Sequence, residues 1–247
     1  MSNAVEVPVT ARGRRTRAQL VAAAAEVFAE KRYLGTNIAD IVARAGVAHG
    51  TFYRYFDSKE QIFNEVAIDL QRKLLSADVD DPADAELPTF QSPSEELLWR
   101  ITRANRRYLR IYQENRRLMA VLEQVATFND EMRAMRRETR TAFVQRAQRS
   151  IERMQAAGLA HRDLDARYAA NALGAMVDRF CYVTFVLDEP FELEEAARTL
   201  SILWARSLGL DVPEGEPVKP SRRRRSRASA AQPTAIDGRG NGPAAAS

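Results

Sequence analysis

A chain of 247 residues, 45% hydrophobic and 28% charged, has the makeup of a globular protein with one large domain or a small domain joined to a larger one. No run reaches the roughly 20 continuous apolar residues of a membrane helix, residues 1–10 carry no leader pattern, and the lone Cys181 rules out an intramolecular disulfide. The expectation is therefore a cytoplasmic protein with no membrane partner. The net charge of +4 is uneven: residues 218–247 hold seven cations (Lys219, Arg222, Arg223, Arg224, Arg225, Arg227, Arg239) against Asp237, and residues 1–17 hold four arginines against Glu6. Basic ends on an acidic body fit two readings, contact with a polyanion and solvated charge.

In chain order, residues 1–13 read as a basic flexible arm. Leu20, Ala24, Val27 and Phe28 then give a first helix its apolar face. Ile38, Ile41, Val42 and Ala45 repeat the spacing in a shorter helix, with Asn37 as its cap, Asp40 at the acidic position of a capping box and Gly46 as its stop. A third short helix is predicted over 48–55, and a fourth over about 58–75, capped by Asp57 or Ser58, with Ile62, Phe63, Val66 and Leu70 inward. Residues 77–93, rich in Asp and Pro, read as a loop. Helices follow at about 94–114, 117–128, 130–157, 163–187 and 191–209, with Gly158 and Pro190 as breaks. Beyond Pro213 large apolar residues nearly vanish, so 213–247 reads as a disordered basic tail.

Three short helices ahead of a longer one, with a turn at Gly46–Val47, fit a helix-turn-helix whose third helix reads DNA. In that helix Phe52 and Phe56 can face inward. His49, Gly50, Thr51, Tyr53, Arg54 and Tyr55 offer donors and small surfaces elsewhere. Gly50 costs a helix about 1 kcal/mol against alanine, which fits a backbone that something approaches closely.

These residues carry a resemblance. The helix ending AEVFAEKRY and the stretch TNIADIVARAGVAHGTFYRYFDSKEQIF, Thr36 to Phe63, are similar to the DNA-binding domain of the tetracycline-repressor (TetR) family, over 14–60. The resemblance implies an all-α fold, with an N-terminal three-helix helix-turn-helix domain (14–60) and a larger helical ligand-binding and dimerisation domain (61–212). It also implies a homodimer that binds palindromic operator double-stranded DNA as a repressor and is released by a small-molecule effector. Carried over, Asn37 caps its helix beside a phosphate, and Ala48, His49 and Thr51 face the major groove. Tyr53, Tyr55 and Lys59 reach phosphates, the last aided by a helix N-terminus. Arg32 stands where the family usually has glycine, which leaves Gly35 to make the turn. Ala48 replaces a common serine cap, and His49 a common lysine.

In the larger domain Trp99, Tyr108, Tyr112, Leu122, Phe128, Phe143, Met176 and Phe180 scatter along long helices. Most such aromatics form plain core, while the resemblance makes some of them walls of a cavity. A cavity with few charges fits an apolar or amphipathic effector, lipid-derived or acyl-CoA-like. The arginines of 100–117 fit either an acidic head group or a solvated face. Ala169, Ala172, Leu173 and Met176, with Leu200, Leu203, Trp204 and Leu208, look like the family's dimer helices. Two histidines and one cysteine leave little for a metal site, and neither a phosphate loop nor a nucleophile elbow is present. No metal, cofactor or catalytic residue is expected. A helical enzyme, or an interaction protein with a non-specific basic tail, is the alternative.

Overall fold

Residues 10–75 and 88–212 are described by a computed structural model, and among them every regular element is helical. Helix α1 (Ala11–Gly35) opens on Thr10, whose hydroxyl accepts from the Gly13 N–H at 3.1 Å. Residues 11–13 of the expected 1–13 arm therefore belong to α1, and Arg12 rides on its first turns with Arg14, Arg15 and Arg17; residues 1–9 lie outside the described residues. Near its end α1 kinks. Arg32 itself adopts φ 61°, ψ 172°, and Gly35 is not left-handed, so the expected exchange of roles does not occur. The kink turns Tyr33 inward, where it stacks near Phe28 and meets Phe63 edge-on at 4.8 Å.

Helix α2 (Ile38–Ala45) has both arms of its capping box. The Asp40 N–H donates to Asn37 Oδ1 at 2.8 Å, and the Asn37 N–H donates to Asp40 Oδ2 at 3.3 Å. Gly46, at φ 64°, ends it in the left-handed turn that favours glycine. Helix α3 is only His49–Phe52, shorter than the predicted 48–55, and continues as a turn. Ala48 makes no side-chain cap, and Gly50 adds backbone entropy, so little holds a longer helix together. Helix α4 (Lys59–Leu75) starts under Ser58, whose hydroxyl accepts from the Gln61 N–H, and buries Ile62, Phe63, Val66 and Leu70.

The rest is a helical layer of α5 (Pro93–Glu114), α6 (Arg116–Val125), α7 (Asp130–Ala156), α8 (Ala166–Cys181) and α9 (Leu193–Ser207). Asp165 caps α8 through two backbone N–H groups, later than the predicted start at 163. A π-helical turn, Tyr182–Val186, carries its end. Helix α5 packs along α9 and α7 along α8, while α1 lies against α2, α4 and α6. One continuous core joins Phe28, Phe52 and Phe63 of the first helices to Tyr112, Leu122 and Val177 of the later ones. The boundary expected at residue 60 thus falls inside shared packing. Among the described residues no helix is long and apolar enough to cross a membrane. Part of the 77–93 loop and the whole basic tail lie outside the described residues; Pro93 already belongs to α5.

Candidate functional sites

The first site is the ridge formed by α3 and its following turn. Phe52 and Phe56 are buried and fix the ridge to the core. With those two inward, Ala48, His49, Gly50, Tyr53 and Arg54 are exposed, and Thr51 and Tyr55 are half-buried at their flanks. The His49 and Tyr53 rings meet edge to face at 5.6 Å, which orders two donors side by side. An alanine methyl at Gly50 would meet nothing within 4 Å, so no contact within the chain requires glycine there. The ridge is braced from behind: Arg17 pairs with Glu65 at 2.8 Å and lies over the Phe56 ring, and Gln19 donates to the Ala45 carbonyl at 2.7 Å.

Asn37 is exposed, with its side-chain oxygen occupied by the cap. Lys59 is more committed than the sequence suggests. Its ammonium donates to the Tyr33 and Thr36 carbonyls at 3.1 and 3.0 Å and sits over the Tyr33 ring, so it closes the C-terminal end of α1. One N–H of the three remains for an outside acceptor. Burial, with the Tyr33 hydroxyl donating to Glu60 at 2.8 Å, holds the Tyr33 phenol well above its ordinary pKa.

The second site is a cavity of about 1030 Å³ between α4, α5, α6, α7, α8 and α9. Of the aromatic and apolar residues singled out in the sequence, Trp99, Tyr108, Leu122 and Phe143 line it. The other four do not. Tyr112 is fully buried, its ring near Phe185. Phe128 is 55% exposed beyond the end of α6, its ring 6.3 Å from Tyr33. Phe180 packs on Phe191. Met176 points between the two core clusters, because Ala170, Gly174 and Val177 form the lining face of α8. Small Ala170 and Gly174 there make room for the cavity.

The cavity also has far more charge than expected. Among the described residues eight arginines line it, from α5 and α7, against two carboxylates, Glu96 and Asp178. The α7 arginines escaped the sequence reading because α7 is so polar along its whole length that its lining face has no apolar signature, and Asp178 because it is a single acid on the otherwise apolar inner face of α8. Arg133 is placed with most consequence. It lines the cavity while its guanidinium donates to the Ala126 and Thr127 carbonyls at 3.1 and 3.0 Å and pairs with Asp130, clamping the turn that carries Phe128.

The helices expected at a dimer face are partly turned inward. Leu173, Leu200 and Leu208 are buried, and Trp204 lines the cavity. The outward apolar residues of α8, α9 and their connection are Tyr168 (77% exposed), Leu187, Phe191 and Leu203.

Comparison with known proteins matches residues 20–66 to the bacterial regulatory proteins of the tetR family and residues 101–208 to the C-terminal domain of the transcriptional regulator EthR. The chain is 42% identical over 64 residues to the HTH-type transcriptional repressor DhaR of Mycobacterium sp. (strain GP1), a match covering 24% of this chain and 32% of DhaR. In this and comparable curated relatives the matched stretch is about a third of the protein or less. Among solved structures, the TetR family regulator PfmR from Thermus thermophilus superposes with a TM-score of 0.57 at 24% identity, covering 76% of this chain and 97% of PfmR. The fatty acid degradation regulator FadR from Bacillus halodurans gives 0.63 at 18% identity, covering 79% and 97%.

Proposed function

The chain belongs to the tetR family of bacterial transcriptional regulators, and from that premise we propose that it is a homodimeric repressor that leaves a palindromic operator when an amphipathic anion occupies the α4–α9 cavity. The observation that carries this is the sharing of walls. Ala67, Leu70 and Leu74 of α4 and Met119 and Leu122 of α6 line the cavity, and the same residues belong to the core that holds α1 and α3. A ligand that changes the spacing of these helices acts on the ridge that reads DNA.

The chemistry of the effector follows from the lining. Apolar walls around Trp99, Ile101, Leu122 and Phe143 suit a long apolar body, and an excess of arginine suits an anionic head. Arg133 couples the two: an anion that draws its guanidinium away from the Ala126 and Thr127 carbonyls frees the turn that rests Phe128 near Tyr33. The exposed Tyr168 and Leu203 of α8 and α9 are the surface on which a two-fold partner would pack. On the DNA side, Ala48, His49 and Thr51 face base edges over Gly50, and Asn37, Tyr53, Tyr55 and the remaining Lys59 N–H face phosphates.

The test is selection of random duplexes on the full-length protein, followed by titration at two salt concentrations with and without a long-chain acyl-CoA. The expected outcome is a palindromic site preferred by about 10³-fold or more over competitor DNA, bound by a dimer and weakened roughly 5–150-fold by the ligand. Uniform, salt-sensitive binding to all duplexes would instead support a non-specific basic protein.

A further inference from the structure

One belt of the cavity does not match a plain hydrocarbon chain. Asp178 projects from the lining face of α8 and accepts a hydrogen bond from the Tyr108 hydroxyl at 2.9 Å. Asn105, three residues before Tyr108 on the same face of α5, also lines the cavity. It is buried and donates its amide N–H to Ser201 Oγ at 3.0 Å. Of the donors here, the Tyr108 proton is on Asp178 and one Asn105 N–H is on Ser201, which leaves the second Asn105 N–H. Two acceptors are also open. The second carboxylate oxygen of Asp178 and the Asn105 carbonyl oxygen have no hydrogen bond among the described residues, and no Lys, Arg or His nitrogen pairs with Asp178 there.

A belt with an open carboxylate oxygen, an open amide oxygen and one open amide N–H between apolar walls asks for a donor that can also accept on whatever fills it. A methylene chain laid across it would strip water from a carboxylate and return nothing. The donor could be a hydroxyl or an ammonium, and the surrounding charge decides between them. With eight arginines against two acids in the lining, an ammonium enters a field of like sign, whereas a neutral hydroxyl does not.

We infer that the effector is a hydroxylated amphiphile, an anionic head on an apolar body that carries a hydroxyl group opposite Asp178 and Asn105. This rests on the amphipathic-anion reading of the cavity and narrows it. Asp178 is then the specificity-determining residue: sites built to hydrogen-bond a hydroxyl discriminate against the analogue lacking it more strongly than apolar pockets discriminate by size.

The experiment titrates the full-length protein with hexadecanoic acid, a set of monohydroxyhexadecanoic acids differing in hydroxyl position, and hexadecyltrimethylammonium. Binding is followed by the fluorescence of Trp99 and Trp204, both of which line the cavity, and by calorimetry. At least one hydroxylated isomer should bind roughly 10-fold or more tighter than hexadecanoic acid. Asp178→Leu should abolish that preference, mainly by improving the plain acid. Asp178→Asn keeps an acceptor for Tyr108 and guards against misfolding; it should leave an intermediate preference. Equal binding of the plain acid and every hydroxylated isomer, or a preference that survives Asp178→Leu, overturns the inference while the anionic-effector reading stands. Tighter binding of the ammonium than of any acid, or no binding of any acid, overturns both.

Discussion

Replacing Arg32 with glycine should stabilise the protein. At φ 61°, ψ 172° Arg32 occupies a region that is essentially glycine's alone, and a residue with a Cβ held there costs on the order of 1–3 kcal/mol. Glycine removes that cost but loses more entropy on folding, about 0.5–1 kcal/mol, so the net gain centres on about 1 kcal/mol. The Arg32 side chain is exposed and joins no hydrogen bond or ion pair among the described residues, so its loss removes no contact. The bond from the Thr36 hydroxyl to the Arg32 carbonyl, at 2.7 Å, needs only the backbone of residue 32 and survives. The strain persists because the kink seats Tyr33 against Phe63 and under the Lys59 ammonium. For a chain of this size about 1 kcal/mol is a rise of roughly 2–4 °C in Tm, readable by calorimetry. Arg32→Ala is the control. It deletes the same side chain and keeps the Cβ, so it should move Tm little. If glycine and alanine give the same Tm, or glycine lowers it, backbone strain at Arg32 is refuted.

Four further substitutions separate structure from function. Gly50→Ala places a methyl in open space, so Tm should hold or rise by the equivalent of up to about 1 kcal/mol, while operator affinity in a gel-shift titration falls; unchanged affinity would remove Gly50 from the DNA contact. Tyr112→Phe deletes a buried hydroxyl with no hydrogen-bond partner among the described residues, so stability should hold or rise by as much as about 1–3 kcal/mol, and a clear loss in denaturant melts would show that the hydroxyl is bonded. Gly209→Ala adds a Cβ at φ +79° and drives it into the His161 ring; the expected loss is about 1–2 kcal/mol, and His161→Ala in the same chain should restore the steric part but not the φ part. Arg133→Lys keeps one positive charge and loses the forked clamp. Operator binding without ligand should persist, and the ligand-induced loss of binding should shrink at least several-fold; an unaltered response would take Arg133 out of the coupling.

The N-terminal half was legible because its signals are local. Asn37 with Asp40, Gly46 at the helix stop, and the inward pair Phe52 and Phe56 are each set by residues within a few positions, and the helix periods show which faces are buried. Arg32 was the exception. An arginine where glycine is usual suggests that the turn moves to Gly35, yet the aromatic packing of Tyr33 outweighed the local preference and held the strained backbone in place. Helix α3 is shorter than the predicted 48–55 for the converse reason: with Ala48 uncapped and Gly50 inside it, local support ends after one turn and Tyr53–Tyr55 continue as a turn.

The cavity half is hard to read because its residues come from six helices and converge only in space. Large aromatics advertise burial but not which of two buried surfaces they join, core or cavity, so Tyr112 and Trp99 look alike in the sequence and end in different places. The residues that distinguish the cavity are the ones a hydrophobic pattern discounts. Small Ala170 and Gly174 read as tight packing between helices, and they are the reason there is space. Asp178 and Arg133 carry no cavity signal in the sequence, and each touches both the cavity and a fixed partner, Tyr108 in one case and the α6 turn in the other. That double contact gives a ligand leverage. An equilibrium between two arrangements moves only by the difference in a ligand's affinity for them, and a side chain must be able to exchange an internal partner for a ligand atom to supply such a difference. Leucines in the wall offer a ligand apolar contact but hold no internal hydrogen bond to exchange, whereas Arg133 can hold either the Ala126 and Thr127 carbonyls or an anion. The proposed coupling therefore runs through a few of the polar residues that line the cavity, along α6 to Tyr33 as well as along α4.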